Sequence, residues 1–312
     1  MVPGPHTKIE LGTILSLLRN LTGVIVLVFL VYYIGVNDVF NSIRSIKIYY
    51  LPVIIGLYIL FLIVSTLCIK TLIRKSISFK KIFKYYSLSW VFGLVIPGKL
   101  GELSLAFLLK KEGFKFIPSL VISLLDKFLT SLFLVGISFF GVFLFFDFKQ
   151  SISFIFITVF ILGAFYLFVN IEIFRFFIPK KYNMYVNEFL VEYHSFFQKD
   201  RKRIYINLLL TTLRWFLNSI MVFFIFLSFG ITVNVFYILI INTLTAFTSL
   251  IPFTINGLGI RQSLGVYLFS KINVIPSISL NMYLISLSLT YFIALALYSY
   301  YSYLDGSEVK PV

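Results

Sequence analysis

Six ionisable residues stand among apolar neighbours in this sequence: Lys99, Glu102, Asp126, Lys127, Arg214 and Arg261. Any chemistry at membrane depth would fall to them. Lys99 and Glu102 belong to the run Pro97-Gly98-Lys99-Leu100-Gly101-Glu102, and Arg261 follows Asn256-Gly257-Leu258-Gly259-Ile260. In both places a glycine-rich break precedes a short apolar run. Such a break starts a helix whose first amides have no acceptor of their own. Those amides bind anions, phosphate in particular, and a neighbouring Lys or Arg completes the site. A cation at a helix start is unfavourable unless an anion joins it. The spacing therefore suits a phosphate-bearing group in a cationic, partly hydrated pocket. A plainer alternative is that Glu102 caps its own half-helix and pairs with Lys99 or Arg261. The two are compatible, since a resting ion pair can open for a ligand.

The remaining members have structural readings beside functional ones. Asp126 is expected as a partner for Arg214 or Lys99, ahead of a proton relay. Asp126 and Lys127 are adjacent and do not face each other on a helix. Lys127 and Arg214 are expected to snorkel from helix ends toward the cytoplasmic face. Asn242, Thr243, Thr245, Thr248 and Ser249 either line the pocket or bond neighbouring helices. No nucleophile–base constellation, Asp-x-Asp pattern or Walker A motif is visible, and His6 and His194 lie outside the apolar segments. No catalytic residue, metal ligand or cofactor is therefore expected. The single cysteine, Cys68, allows no intrachain disulfide and reads as a packing residue.

The elements that carry these residues are membrane helices. Hydrophobic residues make up 60% of the chain and charged residues 12%, with a mean hydropathy of +0.99. A soluble domain carries about 25% charged residues. The net charge of +15 comes from bases placed between apolar runs. That placement suits an anionic leaflet and argues against nucleic acid. A crossing needs about 20 apolar residues. Full-length candidates are 13–36, 51–69, 117–145, 151–170, 205–229 and 277–303. The first is read as a retained helix, because no small-residue cleavage site follows it.

Two further apolar regions are interrupted. Region 85–109 breaks at Pro97, Gly98 and Gly101; region 236–270 breaks at Pro252, Asn256, Gly257 and Gly259. Their halves reach only the middle of a bilayer, at 1.5 Å per residue. Loop charge separates a kinked crossing from a re-entrant hairpin. With two hairpins, only Arg44, Lys47, Lys149 and Lys271 fall outside, while the other loop bases lie inside. The expectation is an all-α polytopic bundle with about six full crossings and two re-entrant hairpins, which form a weak internal repeat. Both termini are then cytoplasmic, in the cell membrane. One integral domain covers 1–312, with tails at 1–12 and 304–312 and a basic amphipathic cytoplasmic segment at 171–204. Charges after the second region are too few to decide whether it returns or crosses. Corresponding broken helices in two halves point to a transporter's binding site.

Pro97 to Glu102, then Leu124-Leu125-Asp126-Lys127-Phe128-Leu129, then Pro252 to Gly259, resemble the transmembrane region of lysylphosphatidylglycerol synthases, a flippase-like family. The resemblance runs over about residues 10–304. It implies an integral membrane protein that moves lipids between leaflets, with the synthase activity in a soluble domain not found here. It assigns the motif glycines and acid to Gly98, Gly101 and Glu102, and the motif base to Lys99. Asp126-Lys127 matches an acid–base pair that usually has Arg second. Two further positions depart from the pattern: Leu105 stands where a base is frequent, and Gln262 where Glu is frequent. Both leave the site with fewer charges. The expected function is translocation of a phospholipid or a polyprenyl-phosphate-linked lipid. The alternatives are a scaffold for a cytoplasmic lipid- or glycan-modifying enzyme, and a lipid-modifying membrane transferase. Membrane lipids are the expected partners; the sequence leaves the oligomeric state open.

Overall fold

A computed structural model describes residues 24–147, 149, 151–152, 163, 181, 183–248 and 257–308. No strand occurs among them. Helices α1 (Val24–Ile34) and α2 (Val36–Arg44) meet at an 85° bend. A 3-10 turn at Ile48–Tyr50 leads into α3 (Leu51–Leu72). Then come α4 (Phe79–Val95), a 3-10 segment (Pro97–Ser104), α5 (Leu105–Lys110) and α6 (Phe116–Phe145). The chain continues with α7 (Asn183–Lys199), α8 (Arg201–Ser228), α9 (Val235–Thr248), α10 (Ile260–Ser270) and α11 (Pro276–Glu308).

Four described helices are long and apolar enough to cross a membrane: Ile48–Leu72, Phe116–Phe145, Arg201–Ser228 and Pro276–Leu304. The bent α1–α2 pair allows a fifth. The expected first crossing thus ends at Gly35, and α2 turns across the bundle. Asn281 of α11 holds α2 there, donating to Val39 O at 2.8 Å and Ser42 Oγ at 3.1 Å. The expected crossing at 151–170, nearly all of it, and the tail at 1–12 lie outside the described residues.

Two faces of the bundle can be told apart by what meets there. Arg74, just after α3, donates to Asp200 Oδ2 at 2.8 Å, just before α8. Lys84 of α4 lies over the Tyr301 ring of α11, 5.9 Å from its centroid. Lysines and arginines at 70–84, 110–115 and 199–203 gather on this basic face. At the other face Lys47 N donates to Ser228 O at 2.8 Å. Helix α7 is tied to the basic face by Arg74, which pairs with Glu192, donates to Ser195 at 2.6 Å and covers the Phe196 ring.

The interrupted regions are hairpins. Lys81 near the start of α4 is 2.7 Å from Glu112 just past α5, and Tyr85 donates to the same carboxylate at 2.7 Å. Entrance and exit of the first hairpin therefore share the basic face. Its tip lies flat on α4, because Gly101 carries no side chain: a Cβ there would fall on the Phe92 carbonyl. Helix α4 begins at Phe79, capped by Ser78, whose Oγ accepts from Lys81 N at 3.4 Å. It spans 17 residues, roughly 25 Å, which is longer than the half-helix expected from residue 85.

The second hairpin enters from the opposite face. It follows α8 after a short loop, and it ends near its own beginning. Phe269 at the end of α10 packs edge-on against Phe226 at the end of α8, with centroids 5.0 Å apart. Pro252 and Asn256, expected at its break, lie outside the described residues. The two hairpins thus enter from opposite faces.

Candidate functional site

Both hairpins contribute to one cavity of about 200 Å³. Glu102 comes from the first hairpin, Asn242, Arg261 and Gln262 from the second, Lys127 from α6 and Arg214 from α8. Lys127 stands eleven residues into α6 and Arg214 thirteen into α8, or ~16 Å and ~20 Å from the basic face. In ~30 Å of hydrocarbon these are middle depths. The sequence had separated Glu102 from Arg261 by more than half the chain; the hairpins join them.

The charges are partitioned unequally. Lys127 donates to Glu102, which leans on Gly93 of α4; a Cβ at Gly93 would meet that side chain. Asp126, one residue earlier, points elsewhere and is fully buried. Its Oδ1 accepts from Asn207 at 3.2 Å, and its Oδ2 lies 3.8 Å from Arg214 Nη1. Arg214 also donates to Thr130 at 2.6 Å, and Thr130 donates to the Asp126 carbonyl at 2.8 Å. Arg214 is 6% exposed. Neither Lys127 nor Arg214 snorkels as expected: each has an acid at its own depth, and pairing there costs less than stretching to the interface. Glu102 likewise pairs with Lys127, not with Arg261.

Arg261 is left over. It lines the cavity and has no hydrogen-bond or ion-pair partner among the described residues; its Nε is buried without an acceptor. Among the described site side chains, three bases face two acids, a surplus of one positive charge. Arg261 also sits in the first turn of α10. Gly259 caps that helix at φ 82°, a conformation that L side chains rarely adopt. Its N–H is taken by Gln262 Oε1 at 2.7 Å. Gln262 so performs the capping that a Glu would perform, without a charge to neutralise Arg261. Leu105, the other departure, is 1% exposed and belongs to the core. Lys99 lies in the 3-10 tip of the first hairpin with Pro97 and Gly98. Gly257, like Gly259, has positive φ at 74°.

Of the polar run before the second break, Asn242 lines the cavity and donates to Asn218 at 3.3 Å. Thr243 instead donates to its own helix at Ile240 O, 2.8 Å away. Ser249 lies outside the described residues. Sequence reasoning missed Asn207, Thr211 and Asn218. Their signal was present: with Arg214 they repeat at helical spacing on one face of α8. It also missed Tyr58, Trp90, Tyr283 and Thr290, which line the cavity and have no marker in an aromatic-rich chain. Cys68 is buried and free, as expected, near Thr211 at 3.9 Å.

Among the described residues the arrangement leaves one guanidinium, in the first turn of α10, without an acid in the cavity. A family model described as the lysylphosphatidylglycerol synthase TM region matches residues 12–297. No curated protein and no solved structure matches the chain.

Proposed function

Because the chain belongs to the lysylphosphatidylglycerol synthase TM region family, we propose that it is a lipid translocator, and that its cavity takes the phosphate-bearing headgroup of a lipid. The observation that carries this reading is Arg261, unneutralised at mid-membrane beside a helix start. A central charge costs about 2.5–3.5 kcal/mol on insertion scales. A hydrogen bond to a charged group returns about 1.5–3 kcal/mol. An arriving phosphate offsets part of this cost, and its own desolvation sets how much.

Opposed hairpins support movement as well as binding. Each stands between the cavity and one face, as in transporters built from inverted repeats. In this reading the chain makes no covalent change to its lipid and needs no cofactor. The basic face is cytoplasmic and lies against the anionic leaflet of the cell membrane. Helix α7, tied there through Arg74, is where a lipid- or glycan-modifying enzyme would hand over its product.

Reconstitution tests the reading. Purified protein in liposomes is supplied with fluorescent anionic, zwitterionic and polyprenyl-phosphate lipids, and leaflet exchange is followed by dithionite quenching. Exchange of a phosphate lipid that falls at least tenfold in Arg261→Gln supports it. Equal exchange by wild type and variant overturns it.

A further inference from the structure

A headgroup at mid-membrane must keep its acyl chains in hydrocarbon, so the cavity needs an opening toward lipid. Helices α3 and α11 supply the wall where such an opening fits. Tyr58 and Phe61 of α3 and Leu287, Thr290 and Tyr291 of α11 line the cavity. The two helices pack mainly on others: α3 along α8, and α11 on α2, α4 and α10. What joins them across the wall is a hydrogen bond, Tyr58 Oη donating to Thr290 Oγ1 at 2.9 Å. Tyr291, which lines the cavity, is itself 41% exposed, and both helices carry exposed apolar side chains nearby in sequence, Ile59 and Leu60 on α3 and Phe292 and Leu295 on α11. In a bilayer these side chains touch acyl chains. Polar cavity and apolar surface therefore meet across one seam.

Resting on the translocator reading above, we infer that the α3–α11 seam is the acyl-chain site of this cavity and that the Tyr58–Thr290 bond is its latch. The occupant is a phosphate-bearing lipid, with its phosphate at Arg261 and its chains between the two helices. Charge complementarity selects it over a neutral lipid with the same chains. Trp90 marks the site, since its ring packs edge-on to Tyr58 with centroids 6.1 Å apart. The other tryptophan, Trp215, also lines the cavity but stacks on Phe133, away from the seam.

Those tryptophans make the test direct, because they are the 2 in the chain. In Trp215→Phe protein, Trp90 is the sole indole. The protein is placed in phosphatidylcholine vesicles that carry either phosphatidic acid or diacylglycerol, both brominated on their acyl chains. Phosphatidic acid is expected to quench Trp90 more than diacylglycerol at equal mole fraction. Thr290→Phe, which plugs the seam, is expected to remove the excess. Equal quenching by both lipids, or an excess that survives the plug, overturns the inference. Should Thr290→Phe not fold, Tyr58→Phe decides. It keeps the ring and removes the latch, so quenching by phosphatidic acid should set in roughly threefold to tenfold faster, and an unchanged onset overturns the inference. Quenching needs no leaflet exchange, so the two proposals fail separately. Headgroup-dependent quenching without exchange sinks only the translocator; exchange without it sinks only the seam.

Discussion

Asp126 lies 3.8 Å from Arg214, while Arg261, which lines the cavity with Arg214, has no acid beside it among the described residues. The two guanidiniums therefore stand in different surroundings. Arg214 is structural: removing its acid strands a buried cation, which costs about 3–5 kcal/mol. Asp126→Asn is expected to lower the melting temperature sharply, and the double variant Asp126→Asn, Arg214→Leu to recover part of the loss. A thermal-shift series in detergent checks this, and no recovery would count against the pairing. In the proposed function Arg261 binds the headgroup, and its unpaired burial is then a liability at rest. Arg261→Gln should raise the melting temperature while it abolishes phosphate-lipid binding. A variant that is both destabilised and inactive would mean Arg261 holds the fold.

At the scale of elements, the first hairpin depends on close approach and on its base. Gly101 meets the Phe92 backbone, so even Gly101→Ala forces the tip away from α4, with a cost of at least about 1–3 kcal/mol. Glu102 would then leave Lys127, so transport should fall with stability. At the base, the Lys81 ammonium and then the Tyr85 hydroxyl hold the Glu112 carboxyl below its ordinary 4.5. A depressed carboxyl binds fewer protons folded than unfolded. Its contribution is therefore complete above pH 4.5 and is lost as pH falls through the lower folded value. Hydrogen exchange across residues 105–113, corrected for intrinsic rate, should accelerate in that acid window. Glu112→Gln should exchange faster at neutral pH and show no such step.

For the whole molecule, the opposed hairpins place one cavity between two seals. The first seal is tied by charge at tip and base, through Lys127–Glu102 and Lys81–Glu112. The second closes by close approach, where the absent side chain of Gly265 leaves room for the hydroxyl and ring of Tyr283. The proposed orientation puts the basic face in the cytoplasm. A membrane-impermeant maleimide added outside intact cells should label Lys271→Cys, and should label Ser76→Cys only after permeabilisation. Cys68 is fully buried and should not interfere. Labelling of both from outside would overturn the assignment of the basic face.

Composition and apolar run length were enough to read a helical membrane bundle, because covering this chain with water is too costly in any other fold. Glycine-rich breaks marked both hairpins, and the scarcity of charge at depth marked the candidates, of which Glu102, Lys127, Arg214 and Arg261 line the cavity while Asp126 lies buried beside it. Loop charge alone returned the first hairpin to its own face. Pairing was legible only in part: Arg214 was one of two partners expected for Asp126, whereas Glu102 was expected on Lys99 or Arg261 and takes Lys127. Which acid takes which base depends on where helices distant in sequence come within about 4 Å, and one-dimensional spacing does not carry that. So the tertiary structure decided that Lys127 takes Glu102, that Asp126 takes Arg214 rather than Lys99, that the second region returns to the face it entered, and that Arg261 is the charge left over among the described residues. The physical reason is the same in each case. Local sequence sets what a segment can form, whereas the energy of a buried charge is set by its neighbours in space.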